Sequence, residues 1–568
     1  MPIRKFLYYF TAAYLIILFF FGVFYEEMTD VFINVMSRGI FTSEPIAIFN
    51  NYGAHFLLNH LYTKLNSFSP LGWYGIINLL FQYLSLANTV FLIYRILKPD
   101  KIKINWLLFS FLLTLMTDDI LNLQYTKTAI YLICSSILNI LFYEIRREKI
   151  QKGILYFNLA LFITGLLIRP QAFYLSTLLL IPLIIFKIKI FLKGTILRMS
   201  PILIPLALIT LTILFSYTRN YTETDKLYSS FSQFSSSVWD GKQPESTLAL
   251  KDKKDSTIYQ SFQLYFIPEI RFMNDSFFNS IGIYKQHYAT EFIKVAVMQI
   301  SYKVNLAKIS ITRLYNESSP KFLFLIFLIL YILYNSALQK QIFRKIIIHF
   351  LWTIFILSAI TIIAKMEFRV FYPIFFFSII CALMINPNFI IKKHIINLFF
   401  TGLVFISGII LLQYNSYIYI NRIITQREIK DFYTEVSKSR KKMIFVADMW
   451  SLNILFGNNV LKSSLYMDQT EWLTFDCGYH IFFSEYEEKR KLLTNANTFQ
   501  ESLNNVKAYK NKYVFIFTEA RINLLKKYAK DIYNIDINFK KQKEKPLFEH
   551  FGYNGEMHIY QYSIDNED

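Results

Sequence analysis

Residues 6–30 read FLYYFTAAYLIILFFFGVFYEEMTD. Twenty uncharged, mostly apolar residues run from Phe6 to Tyr25, enough to cross the ~30 Å hydrocarbon core of a bilayer as a helix. Three acidic residues, Glu26, Glu27 and Asp30, follow at once. Arg4 and Lys5 precede the run and no small-residue cleavage site follows it. The stretch therefore predicts an uncleaved first membrane helix and not a removed signal peptide. Charge is expensive near the bilayer centre, so acidic groups gathered where a helix leaves the membrane point to a site. A solvated helix end would give the same string.

The pattern repeats along the chain. Apolar spans at 6–25, 71–94, 105–117, 128–145, 154–168, 171–186, 201–217, 322–338, 346–364, 370–386 and 395–414 predict an α-helical polytopic membrane protein with about eleven transmembrane helices. The span at 105–117 is short and is expected to tilt little or to continue past Asp118 as buried helix. Composition agrees, since 54% of 568 residues are hydrophobic, 18% are aromatic and the mean hydropathy is +0.33. A net charge of +20 would suit a nucleic-acid binder. Much of it lies in short loops between spans, where it sets orientation, so no nucleic-acid partner is expected. Cys134 and Cys381 lie inside spans and Cys477 in the tail, and no spacing suggests a disulfide or a zinc site.

One set of loops carries Arg4, Lys5, Arg95, Lys98, Lys101, Lys103, Arg146, Arg147, Lys149, Lys152, Lys187, Lys189, Lys193, Arg198, Lys340, Arg344, Lys345, Lys392 and Lys393. The short loops opposite carry only Arg38, Lys64, Lys127, Arg169, Lys365 and Arg369. The positive-inside rule puts the N-terminus in the cytoplasm, and an odd number of spans puts the tail outside. The expected organisation is a membrane module over 1–414, with external segments 26–70 and 218–320, and a small extracytoplasmic C-terminal α/β domain over 415–568. Two runs in that tail, 443–447 and 513–517, read as buried strands. Residues 521–533 read as the helix after the second, and 557–562 as a last strand. Within 218–320, the Ser-rich 229–237 and the amphipathic 292–299 suggest interfacial helices.

The polar residues of interest fall on the external side. On a helix continuing out of the first span, Glu26 and Asp30 would share a face, with Glu27 about 100° away. Such a carboxylate can take a proton from an incoming hydroxyl or bind a divalent cation. Behind it, 46–65 reads as an amphipathic helix on the membrane surface, where His55 and Asn59 share a face that could touch a sugar. Asp118 and Asp119 end the third span. Adjacent carboxylates repel and sit badly at a helix C-terminus, so a cation must be near, and Lys127 is the nearest candidate. Arg169-Pro170 opens the sixth span, and Glu367-Phe368-Arg369-Val370-Phe371-Tyr372-Pro373 opens the tenth. A guanidinium there can hold a phosphate through two parallel bonds, with Glu367 orienting it. Snorkelling to lipid headgroups is the plainer role.

Together these residues resemble the GT-C fold glycosyltransferases, integral membrane enzymes that use polyprenyl-phosphate-linked sugars. Glu26, Glu27 and Asp30 resemble the family's acidic motif in the first external loop, Asp118-Asp119 its second acidic position, and residues 367–373 its "E-x-R-Y-x-x-P" helix entrance. The first motif departs from the commoner adjacent Asp pair, and no Trp-Trp-Asp-Tyr-Gly occurs. The resemblance implies inverting transfer of a sugar from the lipid-linked donor to an extracytoplasmic glycan, lipid or protein, in a cell envelope and most simply a bacterial inner membrane. It implies a general base among Glu26, Glu27 and Asp30. It also implies substrate contacts from Arg369, Glu367, Arg169, Asp118, Asp119 and His55, with Asp118-Asp119 as candidate ligands of a divalent metal. A surface-glycan polymerase or ligase would instead rely on external Arg and His, and a non-enzymatic lipid-linked glycan transporter would carry ionisable groups in mid-span.

Overall fold

The computed structural model describes residues 3–26, 28–47, 54–69, 71–99, 105–188, 196–217, 219, 222–239, 250, 252–263, 266, 269–272, 275–283, 320–337, 339–363, 368–386, 395–438, 443–448, 451, 454–456, 460, 471–475, 482–552 and 555–565. Of these residues 78% are helical.

The helices before the tail begin with α1 (Ile3–Ile16, extended by a π-turn over Ile17–Phe21), α4 (Trp73–Leu97), α5 (Asn105–Leu121), α6 (Tyr125–Arg146), α7 (Lys152–Ile168), α8 (Pro170–Phe186) and α9 (Ile196–Tyr217). The short α2 (Met28–Met36) and α3 (Phe56–Phe68) intervene. Later come α13 (Pro320–Ser336), α14 (Lys340–Ile363), α15 (Phe368–Ile385) and α16 (Ile395–Lys438). Among the described residues, four helices are long and apolar enough to cross a membrane: α4, α6, α14 and α16. Five more are apolar but shorter.

Helix α6 sits at the centre, packed on α4, α7, α8 and α15. Its packing is tightest against α7, where Gly165 meets Ala129, Leu132 and Ile133. A Cβ on Gly165 would lie 2.6 Å from Ile133 Cγ1. Small residues let apolar helices approach this closely. Polar side chains tie both helices to α4. Asn88 donates to Ser135 Oγ at 3.1 Å and to Asn158 Oδ1 at 3.0 Å, and Asn139 donates to Asn88 Oδ1 at 3.0 Å. Residues exposed on α14 and α16, such as Leu351, Phe355, Phe399 and Phe405, are apolar, as a lipid-facing surface requires.

Two expectations change. The first helix does not continue to Asp30. Gly22 takes φ +90°, a conformation that ends the helix, and the chain extends as β1 (Phe24–Tyr25) before α2 begins. Strand β1 pairs in parallel with β2 (Asn122–Leu123), the two residues after α5. The short third span does run past Asp118 as buried helix, to Leu121. The last span also runs on, since α16 continues from 414 to Lys438, well beyond the apolar segment.

The tail holds one sheet in the order β4 (Glu471–Leu473), β3 (Ile444–Ala447), β5 (Tyr513–Thr518), β8 (Gly555–Ile564), β6 (Phe539–Lys541), with β7 (Phe548–Gly552) also on β8. Strands β4, β3 and β5 are parallel and β8 is antiparallel to β5. Before β5 lie α17 (Ser484–Thr494) and α18 (Phe499–Ala508), the latter closed by a capping box between Thr498 and Glu501. Helix α19 (Glu519–Tyr533) follows β5. The strand expectations at 443–447, 513–517 and 557–562 and the helix at 521–533 fall on β3, β5, β8 and α19.

The Ser-rich stretch lies in α10 (Glu223–Trp239), and 292–299 lies outside the described residues. The next helix, α11 (Lys253–Gln263), docks on α19. Thr257 Oγ1 donates to Asp531 at 2.7 Å and Lys253 pairs with the same carboxylate at 2.8 Å. The tail also rests on the residues that follow α1, through Val460 N to Val23 O at 2.9 Å and Lys489 Nζ to Ile40 O at 2.7 Å.

Candidate functional site

The β1–β2 pairing brings the first acidic motif to the second. Glu26 N donates to Leu123 O at 3.0 Å, which sets Glu26 beside the end of α5. There Lys127, on the first turn of α6, faces three carboxylates. Its Nζ lies 2.6 Å from Glu26, 3.2 Å from Asp118 and 3.4 Å from Asp119. All four side chains are at most 7% exposed, so these charges interact without much water between them. The sequence expectation that Lys127 compensates Asp118-Asp119 holds in the structure.

Each carboxylate has a further partner. Asp118 Oδ2 meets Lys321 Nζ at 2.8 Å, and its Oδ1 accepts from Asn122 Nδ2 at 2.7 Å. Asp119 Oδ2 accepts from Tyr131 OH at 2.7 Å. Lys321 Nζ also lies 4.5 Å from the Tyr372 ring on α15, one turn after Arg369. Arg369 feels the negative charge of Glu26, which opposes the effect of its burial. Burial raises the Glu26 carboxyl above its usual range, and Lys127 opposes that shift.

Asp30 lies next to this ionic group. It is fully buried on α2. Its Oδ1 accepts from Tyr74 OH at 2.5 Å and from Tyr125 N at 3.3 Å, while Oδ2 has no hydrogen-bond partner among the described residues. Tyr25 and Tyr62 pack on the Tyr74 ring, giving the carboxylate an aromatic wall. Burial lifts its pKa to about 8, against the two hydrogen bonds, which favour the charged form. Glu26 and Asp30 do not share a helical face, because β1 and the break at Gly22 separate α1 from α2. They are neighbours through tertiary structure instead.

Arg169 caps the start of α8, with its guanidinium 5.4 Å from the Tyr125 ring, beside the residue whose N–H holds Asp30. His55 is engaged elsewhere. Its Nδ1 accepts from Leu57 N as the N-cap of α3 and its Nε2 meets Ser216 at 2.8 Å. Of the helix expected over 46–65, the described residues show α3 from Phe56, while 48–53 lie outside them, and Asn59 donates to Ala54 O. His55 and Asn59 are thus both engaged in the local fold. Glu27 and Glu367 lie outside the described residues.

Sequence reading missed Lys321 and Arg422. Pro320-Lys321 sets a proline beside a cation at the head of a span, as Arg169-Pro170 does in the reverse order, and could have been found that way. Arg422 lies in the part of α16 beyond the apolar segment, where nothing in the sequence signals burial. It is 4% exposed and donates to Asn122 Oδ1. With Asp118, Asn122, Asn415 and Tyr419 it lines a small opening beside the cluster.

The divalent metal implied for Asp118-Asp119 does not fit this arrangement. The point where those carboxylates converge with Glu26 is filled by an ammonium, and among the described residues no group of three acidic, His or Cys side chains is arranged to hold a metal. No family model, curated protein or solved structure matches the chain.

Proposed function

We propose that this protein is an inverting membrane glycosyltransferase of GT-C type. It moves a sugar from a polyprenyl-phosphate-linked donor to a glycan, lipid or protein on the extracytoplasmic side of a bacterial inner membrane. The observation that carries the reading is the convergence of Glu26, Asp118, Asp119, Lys127, Lys321 and Arg369 beside Asp30, all brought to one place from six separate segments. In this reading all eleven apolar segments cross the membrane, with the N-terminus cytoplasmic and the tail outside.

Asp30 is the general base. Of the two described candidates for the base, Glu26 is committed to Lys127, whereas Asp30 has an oxygen with no bond and a pKa near neutrality, as proton abstraction requires. The acceptor hydroxyl gives its proton to Asp30 and its oxygen attacks the anomeric carbon. The bond from that carbon to the donor phosphate breaks, and the polyprenyl phosphate leaves with the electron pair. Arg369, with Lys321 beside it, stabilises the charge developing on that phosphate, where a water-poor setting makes a positive group most effective. Arg169 flanks the acceptor side. The tail and the docked α11 present a surface for the acceptor.

Purified protein in nanodiscs, offered a panel of polyprenyl-phosphate sugars, should transfer at least one to an envelope acceptor fraction. No transfer from any member by protein that is folded overturns the reading.

A further inference from the structure

Among the described residues, the carboxylates of Glu26, Asp118 and Asp119 are met by the ammonium groups of Lys127 and Lys321, and Arg422 stands beside them on Asn122. A divalent cation is drawn to a site by uncompensated carboxylates and by oxygen atoms free to surround it. Here the oxygens of three acidic side chains surround Lys127 Nζ at 2.6, 3.2 and 3.4 Å. A lysine carries three donors on one compact charge, so it can serve three carboxylates at once, which the planar fork of an arginine does less readily. Lys127 is buried and held at this position. It starts α6, the most buried of the four long helices, with its own N–H held by Gln124 Oε1 at 2.7 Å and its side chain 4% exposed.

We infer that Lys127 is the resident cation of this site, holding Glu26 to Asp118-Asp119 where a divalent metal would otherwise sit, so that the protein neither binds nor needs one there. The consequence for the reaction, which rests on the function proposed above, is that charge on the departing phosphate is met by Lys321 and Arg369 alone. Lys127 is then a positioning residue. It fixes the first loop against the end of α5 and so fixes Asp30, which follows four residues after Glu26.

The test reads metal directly and needs no substrate. Native protein in nanodiscs is titrated with Mn2+ while free Mn2+ is followed by electron paramagnetic resonance, and its melting temperature is measured with EDTA, Mg2+ or Mn2+. Native protein should take up no stoichiometric Mn2+, and its melting temperature should move by less than about one degree. Lys127→Met removes the ammonium and keeps the volume. It should gain one Mn2+ site, with Mn2+ raising its melting temperature by several degrees, and Asp118→Asn in that background should abolish the gain. Stoichiometric Mn2+ uptake by the native protein that Asp118→Asn removes overturns the inference, as does a folded Lys127→Met protein that takes up none. Should Lys127→Met not fold, the native titration decides by itself. Transfer that is active but lost in EDTA would overturn the metal independence while leaving the glycosyltransferase reading intact. Absent transfer beside absent Mn2+ uptake would do the reverse.

Discussion

Asp30 shows how much a single residue can depend on its neighbours. Its short side chain is surrounded by Tyr25, Tyr62 and Tyr74, and burial rather than a charged partner is the main cause of its raised pKa, about 8. Burial disfavours the ionised form, so Asp30 is protonated at mildly acidic pH and ionised only as the pH passes about 8. A base must be ionised to act. Transfer should therefore rise with pH through one ionisation near 8, measured as kcat/KM, and a profile flat from 6 to 9 would remove Asp30 from that role. Asp30→Asn keeps the shape and should cut transfer roughly 100-fold or more, the usual scale for a lost general base. The phosphate contact has its own signature. Arg369→Lys keeps the charge but loses the bidentate fork, so it should weaken donor use in part. Arg369→Ala should cost about 1.5–3 kcal/mol, the scale of one charge-assisted hydrogen bond. Both effects should appear with the lipid donor and leave acceptor KM unchanged, and unaltered donor kinetics in a folded Arg369→Ala protein would leave only an interfacial anchor.

At the scale of elements, the site depends on breaks as much as on helices. Gly22 ends the first helix and lets Phe24–Tyr25 pair with Asn122–Leu123, a two-residue parallel bridge that joins the two acidic motifs. No periodicity announces so short a strand, because its pairing is wholly non-local. The α6–α7 contact is the counterpart within the apolar bundle. A Cβ at Gly165 would meet Ile133 and the Ala129 carbonyl, at 2.6 and 3.2 Å. Gly165→Val should force α7 away from α6 and destabilise the protein by about 1–3 kcal/mol, the cost of overpacking. Its melting temperature in detergent should fall accordingly. Since α6 carries Lys127 and Tyr131, transfer should fall with it. An unchanged melting temperature would mean that the two helices are not pressed together as described.

At the scale of the whole molecule, the described part of 253–272 is tied to the tail, and the tail to the residues that follow α1. Asp531 holds both Thr257 and Lys253, and Glu269 accepts from Tyr528 at 2.8 Å, so α11 and its sequel are fixed to α19 across more than 250 residues of chain. Asp531→Ala should raise hydrogen exchange in 253–263 while leaving the sheet protected, and equal exchange in mutant and native protein would show that this pair does not fix the segment. The orientation proposed for the membrane module has a direct check. A cysteine introduced at an exposed tail position such as Leu492 should be labelled by an impermeant reagent in intact spheroplasts. Labelling only after lysis would put the tail, and the whole cluster, on the cytoplasmic side.

The sequence by itself determined the apolar helices, the α/β character of the tail and the presence of acidic and basic groups near the ends of particular spans. These are local properties, fixed by runs of apolar side chains and by where charge can stand beside a membrane. It also pointed correctly to Lys127 as the partner of Asp118-Asp119, because two adjacent carboxylates at a helix C-terminus demand a cation. Only the tertiary structure decided which charges meet. It brought Glu26 to Asp118-Asp119 through β1 and β2, added Lys321 and Arg422 from distant helices, gave His55 to a helix cap and put Asp30 on a helix of its own, off any face shared with Glu26. The physical reason is that an ion pair's energy depends on distance and burial in three dimensions, and neither is written in the spacing of residues along the chain.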